Sequence, residues 1–135
     1  MRSLVIEDDY VNRSILQDFL EKRGSCDVTG NGEEGLTAFL AALDSGDPFR
    51  LVMLDMWLPG KNGREILQAI RQAEKERGVA PREEAGVVIL TVDDDPELVM
   101  DAFRRGGATD YLLKPVDLNR LDAIIDEQGL DGSKD

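Results

Sequence analysis

The chain has 135 residues, of which 28 are Asp or Glu and 16 are Lys or Arg, so its formal net charge is −12. No basic run exceeds two residues, which argues against a nucleic-acid-binding surface because such surfaces need clustered positive charge. The chain has no histidine and one cysteine, Cys26, which excludes histidine-based zinc sites, histidine general bases and an internal disulfide.

Five short apolar runs divide the chain and predict five β-strands. They are Leu4–Ile6, Cys26–Thr29, Leu51–Leu54, Val87–Leu90 and Tyr111–Leu113. Four of them are almost continuously apolar, as expected of strands buried on both faces of a parallel sheet. Cys26–Thr29 is more polar and suits an edge strand.

Apolar residues at helical spacing follow each run and predict five helices whose apolar stripes face the core. The stripes are Val11, Ile15, Leu16, Phe19 and Leu20, then Leu36, Phe39, Leu40 and Leu43, then Ile66, Leu67, Ile70 and Ala73, then Leu98, Val99, Ala102 and Phe103, then Leu118, Leu121, Ile124 and Ile125. A strand–helix unit repeated five times predicts an α/β fold with a doubly wound, five-stranded parallel sheet. We expect a flavodoxin-like strand order of 2-1-3-4-5 with helices on both faces.

Length and composition favour one domain over residues 1–128, with a short polar tail over residues 129–135 that is frayed, and no output domain. The charged segment Gln72–Gly86 is interpreted as an extended third helix plus a solvated loop. No run reaches membrane-spanning length and too few residues precede the first strand for a signal peptide, so we expect a cytoplasmic protein. Whether the chain acts alone or belongs to a longer regulator is left open by these patterns.

Polar residues follow four of the five predicted strands. The first strand ends in Glu7-Asp8-Asp9, the third in Asp55, the fourth in Thr91 and the fifth in Lys114. These strands are neighbours in the order 2-1-3-4-5, so their carboxyl ends meet at one edge of the sheet, where such sheets bind ligands. Carboxylate oxygens suit Mg²⁺, and a hydroxyl with an ammonium suits a phosphoryl group.

Four segments carry a resemblance to a known family: "LVIEDDYVNR", "LVMLDMWLPGKNG", "VVILTVDDDP" and "GGATDYLLKPV". In this order they resemble a response-regulator receiver domain, the phosphoacceptor module of two-component signalling. The resemblance implies that a histidine kinase or a histidine phosphotransfer protein donates a phosphoryl group, and that a downstream protein effector reads the result. It implies a switch with no separate substrate, hence not an enzyme, and neither nucleic acid nor membrane is an expected partner.

The resemblance assigns the phosphoacceptor and the metal ligands. Asp55 would accept the phosphoryl group beside Mg²⁺ (or Mn²⁺). Asp8 would bind the metal directly and Glu7 mainly through water, with Asp55 and the backbone carbonyl of Trp57 completing the protein ligands. The acidic pair is Glu7-Asp8 rather than Asp8-Asp9, because the family's frequent basic residue then falls on Arg13.

The resemblance also assigns the residues that bind phosphate and respond to it. Thr91 would bond a phosphoryl oxygen and Lys114 would pair with the phosphate. Tyr111 would be the switch aromatic, whose ring turns inward on activation. The Lys114–Pro115 peptide bond is expected to be cis. The partner would read the face made by the fourth predicted helix, the fifth strand and the fifth helix.

Two residues depart from the family pattern. Trp57 and Val92 are larger than the residues usual at their positions, and both flank the route to Asp55. We hypothesise that they restrict water and small phosphodonors, which would slow hydrolysis of the phosphoryl group. Packing of Trp57 over its loop is the alternative interpretation.

Two other classes of function fit the sequence less well. An aspartyl phosphohydrolase commonly has a second acid two residues after its nucleophile, but Trp57 occupies that position here. A receiver-like interaction module that works without phosphate does not need the set Asp8, Asp55, Thr91 and Lys114, so the presence of this set favours the switch. Dinucleotide and P-loop motifs are absent from the sequence.

Overall fold

The computed structural model describes residues 1–92, 97, 101 and 105–131, and its five strands form one parallel sheet. The strands are β1 (Ser3–Ile6), β2 (Cys26–Thr29), β3 (Leu51–Asp55), β4 (Gly86–Thr91) and β5 (Asp110–Leu113). Their order is β2-β1-β3-β4-β5, so the predicted fold class and strand order are confirmed. Each apolar run lies within one residue of the strand it predicted. Every position of β1, β3 and β4 is buried, as expected of strands covered on both faces. The same expectation is wrong for the run Tyr111–Leu113, because β5 is an edge strand whose Tyr111 and Leu113 are 39% and 43% exposed.

Four α-helices have complete bounds within the described residues: α1 (Tyr10–Glu21), α2 (Gly32–Asp44), α3 (Gly63–Glu76) and the C-terminal helix (Leu118–Gln128). Each begins after an Asp or Asn whose side-chain oxygen accepts a backbone N–H of the first turn. Such an N-cap contributes about 1 kcal/mol. The sequence places these caps directly after strand ends or loops, so they fix where each helix leaves the sheet.

The fourth predicted helix is only partly covered by the described residues. Its stripe, Leu98, Val99, Ala102 and Phe103, lies outside them, whereas Glu97, Asp101 and Arg105 are helical. No helix in the described part of the chain is both long and apolar enough to cross a bilayer.

Two hydrophobic cores lie on opposite faces of the sheet. Helices α2 and α3 pack on one face, and α1 and the C-terminal helix pack on the other. Side chains of β1 alternate between the cores, with Leu4 and Ile6 in the first and Val5 in the second. Each buried Leu, Ile or Val contributes about 1.5–3 kcal/mol. The strands are thereby held in place, and so are the residues that follow their carboxyl ends.

One part of the predicted core is wrong. Val11 and Ile15 of α1 are 62% and 47% exposed, whereas Leu16 and Leu20 are buried. An α-helix turns by about 100° per residue, which places Val11 roughly 160° and Ile15 roughly 120° around the helix from the Leu16–Leu20 line. The first predicted stripe therefore mixed two faces of α1, and only one of them meets the sheet.

The charged segment Gln72–Gly86 is less solvated than predicted. Helix α3 ends at Glu76, and a short 3₁₀ helix, Pro81–Glu83, follows before β4. Glu74, in the last turn of α3, is buried although it belongs to the charged segment Gln72–Gly86. Its carboxylate accepts a hydrogen bond from the Ala85 N–H (2.7 Å) and pairs with Arg71 Nη1 (2.7 Å). Glu74 thus ties α3 to the chain entering β4.

Replacing Glu74 by alanine is expected to lower the free energy of unfolding by about 3 kcal/mol, because the Arg71 guanidinium and the buried Ala85 N–H lose their shared acceptor. Urea denaturation measures this loss. Glu76→Ala is the matched control, since Glu76 is exposed on the same helix and its removal should change stability by less than about 0.5 kcal/mol. Equal losses in the two variants would contradict the structural role of Glu74.

The predicted frayed tail begins too early. Gly129 ends the C-terminal helix with a left-handed φ of 64°, and Leu130 is buried in the core beside that helix. Asp131 pairs with Arg23 at 2.9 Å. Gly129–Asp131 therefore packs on the domain, and residues 132–135 lie outside the described part of the chain.

Candidate functional site

The carboxyl edge of the sheet brings together the polar residues that follow its strands. Asp55 ends β3 and Thr91 ends β4, while Glu7 follows β1 and Lys114 follows β5. Adjacent strands are in parallel register, with Asp55 beside Leu90 and Thr91 beside Leu113. Glu7, Asp55 and Thr91 are buried, which is unusual for two carboxylates at a strand end.

Lys114 links the two buried carboxylates. Its Nζ lies 2.8 Å from Glu7 Oε2 and 3.2 Å from Asp55 Oδ2. Two acids in one buried site repel each other, so an ammonium between them stabilises the ionised pair. The resemblance implied that Lys114 pairs with a phosphate, and in this structure its charge is held by Glu7 and Asp55.

The remaining carboxylate oxygens are held by backbone N–H groups. Asp55 Oδ1 accepts a hydrogen bond from the Trp57 N–H (3.1 Å), and Glu7 Oε1 accepts one from the Asp9 N–H (3.1 Å). Both side chains therefore have one oxygen fixed by the local loop and the other by Lys114. This leaves the orientation of each carboxylate defined.

Burial is the largest single influence on the pKa of each of these three groups. It raises the pKa of Asp55 above its usual value, although the Trp57 N–H and the charge of Lys114 oppose the rise. Burial also raises the pKa of Glu7, against the hydrogen bond from Lys114. Burial lowers the pKa of Lys114, but its bond to Glu7 and the charge of Asp55 outweigh burial and raise that pKa. Asp55 is thus a carboxylate with reduced hydration next to a firmly protonated amine.

An acidic cluster at this edge has the composition of a magnesium site. Ligand oxygens of Glu7, Asp8 and Asp55 lie within 4.8 Å of one another. Three close carboxylates attract a divalent cation, and hard oxygen donors suit Mg²⁺ or Mn²⁺. Asp9 is not part of this cluster, because its side chain caps α1 by accepting the Asn12 N–H (2.9 Å). The chemistry of the donor set therefore fits the metal that the resemblance implied.

The loop after β3 shapes the open side of the site. Trp57 is 50% exposed and Val92, after β4, is 71% exposed. Gly60 has a left-handed φ of 85° within the turn. A Cβ at Gly63 would lie 2.7 Å from the Asp55 carbonyl oxygen and 2.8 Å from Met56 Cα. Only glycine therefore lets the start of α3 pack this closely against the end of β3.

The two remaining site predictions lie on and after β5. The Tyr111 side chain is 39% exposed, so its ring is not packed in the core. The Lys114–Pro115 peptide bond is cis. Tyr111 and Lys114 are thus parts of one short segment that leaves the sheet at the same edge as Asp55.

Sequence reasoning missed an exposed apolar surface next to the site. We call it the α1 apolar surface and define it as Tyr10, Val11 and Ile15, all exposed. It lies at this edge because α1 begins at Tyr10, directly after the acidic loop. Arg13 of the same turn donates to the Glu7 carbonyl (3.2 Å) and lies over the Tyr10 ring. The helical angle between Val11 and Leu16 was the signal available in the sequence.

Comparison with known proteins gives a consistent family. A family model described as the response regulator receiver domain matches residues 4–126. The rice two-component response regulator ORR41 is 31% identical over 125 residues, covering 93% of this chain and 91% of that protein. The transcriptional regulatory protein AruR of Pseudomonas aeruginosa is 34% identical over 122 residues, which cover 89% of this chain. The chain spans 46% of AruR, so that similarity concerns part of the larger protein.

A solved structure shows the same arrangement of strands and helices. It is a co-crystal structure of the Saccharomyces cerevisiae histidine phosphotransfer signaling protein Ypd1 and the receiver domain of its downstream response regulator Ssk1. The match has a TM-score of 0.80 at 30% identity and covers 96% of this chain and 88% of the other.

Proposed function

The chain belongs to the response regulator receiver domain family, and on that basis we propose that Asp55 accepts a phosphoryl group from a phosphohistidine partner. One observation carries the assignment to Asp55: this carboxylate is buried at the open edge of the sheet with Lys114 Nζ at 3.2 Å and two further acids beside it. No other arrangement among the described residues combines an acid cluster with a lysine in this way.

The proposed reaction is a transfer between two protein side chains. A carboxylate oxygen of Asp55 attacks the phosphorus of the partner's phosphoimidazole. As the O–P bond forms, the P–N bond breaks, and its electron pair leaves with the imidazole, which takes up a proton. The charge of Lys114 lies where it can offset negative charge on the equatorial phosphoryl oxygens, and reduced hydration of Asp55 favours attack.

We propose that Asp8, Asp55 and the backbone carbonyl of Trp57 hold Mg²⁺ directly, and that Glu7 acts mainly through water. When bound, the cation would offset charge on the phosphoryl oxygens. Glu7 is the acid whose oxygens are already used by Lys114 and the Asp9 N–H, which supports its indirect role. Asp8 is exposed and free to face the solvent side of the cluster.

The proposed phosphodonor is a histidine kinase or a histidine phosphotransfer protein. The relative whose structure was solved, the Ssk1 receiver domain, was crystallised with such a protein. In this chain the α1 apolar surface starts directly after the acidic loop of the site and offers exposed apolar area for such a partner. Downstream, Thr91 would bond the new phosphoryl oxygens, and Tyr111, which is 39% exposed, would move inward. A protein effector would read the face that includes β5 and the C-terminal helix.

Phosphoramidate with Mg²⁺ is expected to add the mass of one phosphoryl group to the protein, and a chelator is expected to prevent the gain. Intact mass spectrometry measures both. Trp57 is the single tryptophan and lies two residues after Asp55, so its fluorescence should change with added Mg²⁺ and report metal binding separately. Absence of any gain with phosphoramidate and with a phosphorylated histidine domain would favour an interaction module that works without phosphate.

Smaller side chains at the rim are expected to shorten the lifetime of the phosphoryl group. Trp57→Asn and Val92→Ala widen the approach of water to Asp55, and we expect the double variant to lose phosphate roughly tenfold faster. Phosphate release after removal of the donor measures the rate. Ile15→Ala is the control, because it removes an exposed apolar side chain from α1 and should leave the rate unchanged. An unchanged rate of phosphate release in the double variant would contradict the hypothesis that these side chains restrict water, and packing over its loop would remain as the role of Trp57.

A further inference from the structure

A groove at the opposite edge of the sheet gathers positive charge. It has a volume of about 1150 Å³ and is lined by Gly86, which starts β4, and Thr109, which precedes β5. We call it the basal groove. Five cations line it, and one carboxylate does: Arg50, Arg71, Lys75, Arg82 and Arg105, with Glu84. The groove therefore has an excess of positive charge, whereas the chain as a whole has a net charge of −12.

Some of these cations form ion pairs with carboxylates of the protein, and others do not. Arg71 pairs with Glu74, and its Nε donates to the Gly107 carbonyl (2.9 Å). Arg105 pairs with Asp101 at 3.0 Å. Among the described residues, Lys75 and Arg82 have no acid within ion-pair distance. The charge of these two side chains therefore faces the groove or the solvent.

Arg50 adds a third partly uncommitted cation. Its Nη1 donates to the Glu83 carbonyl (3.2 Å), a neutral acceptor that leaves its charge without a carboxylate partner among the described residues. Cations in the last turn of a helix offset the helix dipole, which gives Lys75 a structural use. That explanation does not extend to Arg50, which precedes β3, or to Arg82, which lies in the 3₁₀ helix.

We propose that the basal groove binds a small ligand carrying two or more linked phosphate groups. Of the three lining cations without a carboxylate partner among the described residues, Arg50 and Arg82 are arginines, whose planar guanidinium groups bind phosphate oxygens in pairs. Several cations around one groove suit a compact ligand with several adjacent charges. Apolar residues, among them Val79 and Pro81, also line the groove and suit a ring or sugar attached to the phosphates. The site does not involve Asp55 and is independent of the proposed phosphoacceptor function.

Titration of the ¹⁵N-labelled full chain with ATP and with inorganic tripolyphosphate tests the proposal. EDTA is present and ionic strength is constant, so the acidic cluster at Asp55 binds no metal during the measurement. We expect saturable amide shifts at Lys75, Arg82 and Gly107 with a Kd below about 1 mM. Tighter binding of ATP would identify a nucleotide ligand, and equal binding would identify the phosphate chain alone.

Removing the uncommitted cations should weaken binding specifically. Lys75→Ala/Arg82→Ala is expected to reduce affinity at least about tenfold. Lys22→Ala/Lys61→Ala removes the same charge outside the groove and should change affinity by less than about twofold. The proposal is overturned if neither ligand gives saturable shifts, if the two double variants behave alike, or if a hexaglutamate peptide binds as tightly as tripolyphosphate.

Discussion

Asp55→Asn is expected to take up no phosphoryl group under any donor condition. The amide is nearly the same size as the carboxylate and can still accept the Trp57 N–H, so the loop after β3 should keep its position. It lacks the anionic oxygen that attacks phosphorus, and an amide nitrogen does not replace it. Intact mass after treatment with phosphoramidate and Mg²⁺ measures the loss. We expect the wild-type gain of one phosphoryl mass to disappear completely.

Asp9→Asn is the matched control for this variant. It changes a neighbouring acid that caps α1 rather than one that belongs to the acidic cluster, and asparagine also caps helices well. Uptake should therefore match the wild type. A mass gain in Asp55→Asn equal to that of the wild type would show that another residue accepts the phosphoryl group, and the assignment to Asp55 would be wrong.

Lys114→Ala is expected to slow phosphoryl uptake by about 10²- to 10³-fold, the usual cost of removing one group that stabilises charge in the transition state. The variant also leaves Glu7 and Asp55 together without the ammonium that lies between them. The charge and hydrogen bond of Lys114 both lower the pKa of Asp55, so their loss raises that pKa further and reduces the fraction of Asp55 that is ionised and able to attack. The time course of mass gain with phosphoramidate measures the rate.

Two variants separate the charge of Lys114 from its position. Lys114→Arg keeps a cation in the site and should recover part of the rate, whereas Lys61→Ala removes an exposed lysine of the nearby loop and should have no effect. Trp57 fluorescence, followed on adding Mg²⁺, reports whether each variant still binds metal. Uptake by Lys114→Ala within tenfold of the wild type would contradict the role proposed for this lysine.

The sheet was predictable because burial on both faces leaves little choice of residue. The runs at Leu51–Leu54 and Val87–Leu90 are continuously apolar, as expected of strands buried on both faces. The rule that parallel strands present their carboxyl ends together then predicts Asp55 and Thr91 at one edge. The same reasoning could not place the Lys114 ammonium between Glu7 and Asp55. That contact depends on side-chain torsions, which no sequence pattern specifies.

Residues that meet only through the fold were missed for a related reason. Glu74 looked like one more charged residue of a polar segment, because the N–H that it binds belongs to Ala85, eleven positions later. The cations that line the basal groove are spread along the sequence from Arg50 to Arg105, so no basic run in the sequence predicts the groove. Val11 and Ile15 are different, since their helical angles could have placed them outside the core without a structure.

The Asp55–Lys114 ion pair connects strands that the hydrogen-bond ladder does not. Asp55 ends β3 and Lys114 follows β5, while β4 lies between them. Backbone hydrogen bonds join only adjacent strands. This ion pair instead links β3 to the segment after β5, across the end of the strand that lies between them. In the described sheet β5 pairs with β4 alone and is an edge strand. If the distance between Asp55 and Lys114 changes, β5 is therefore the strand that can move at the lowest energetic cost. A central strand could move only by disturbing its hydrogen bonds to two neighbouring strands.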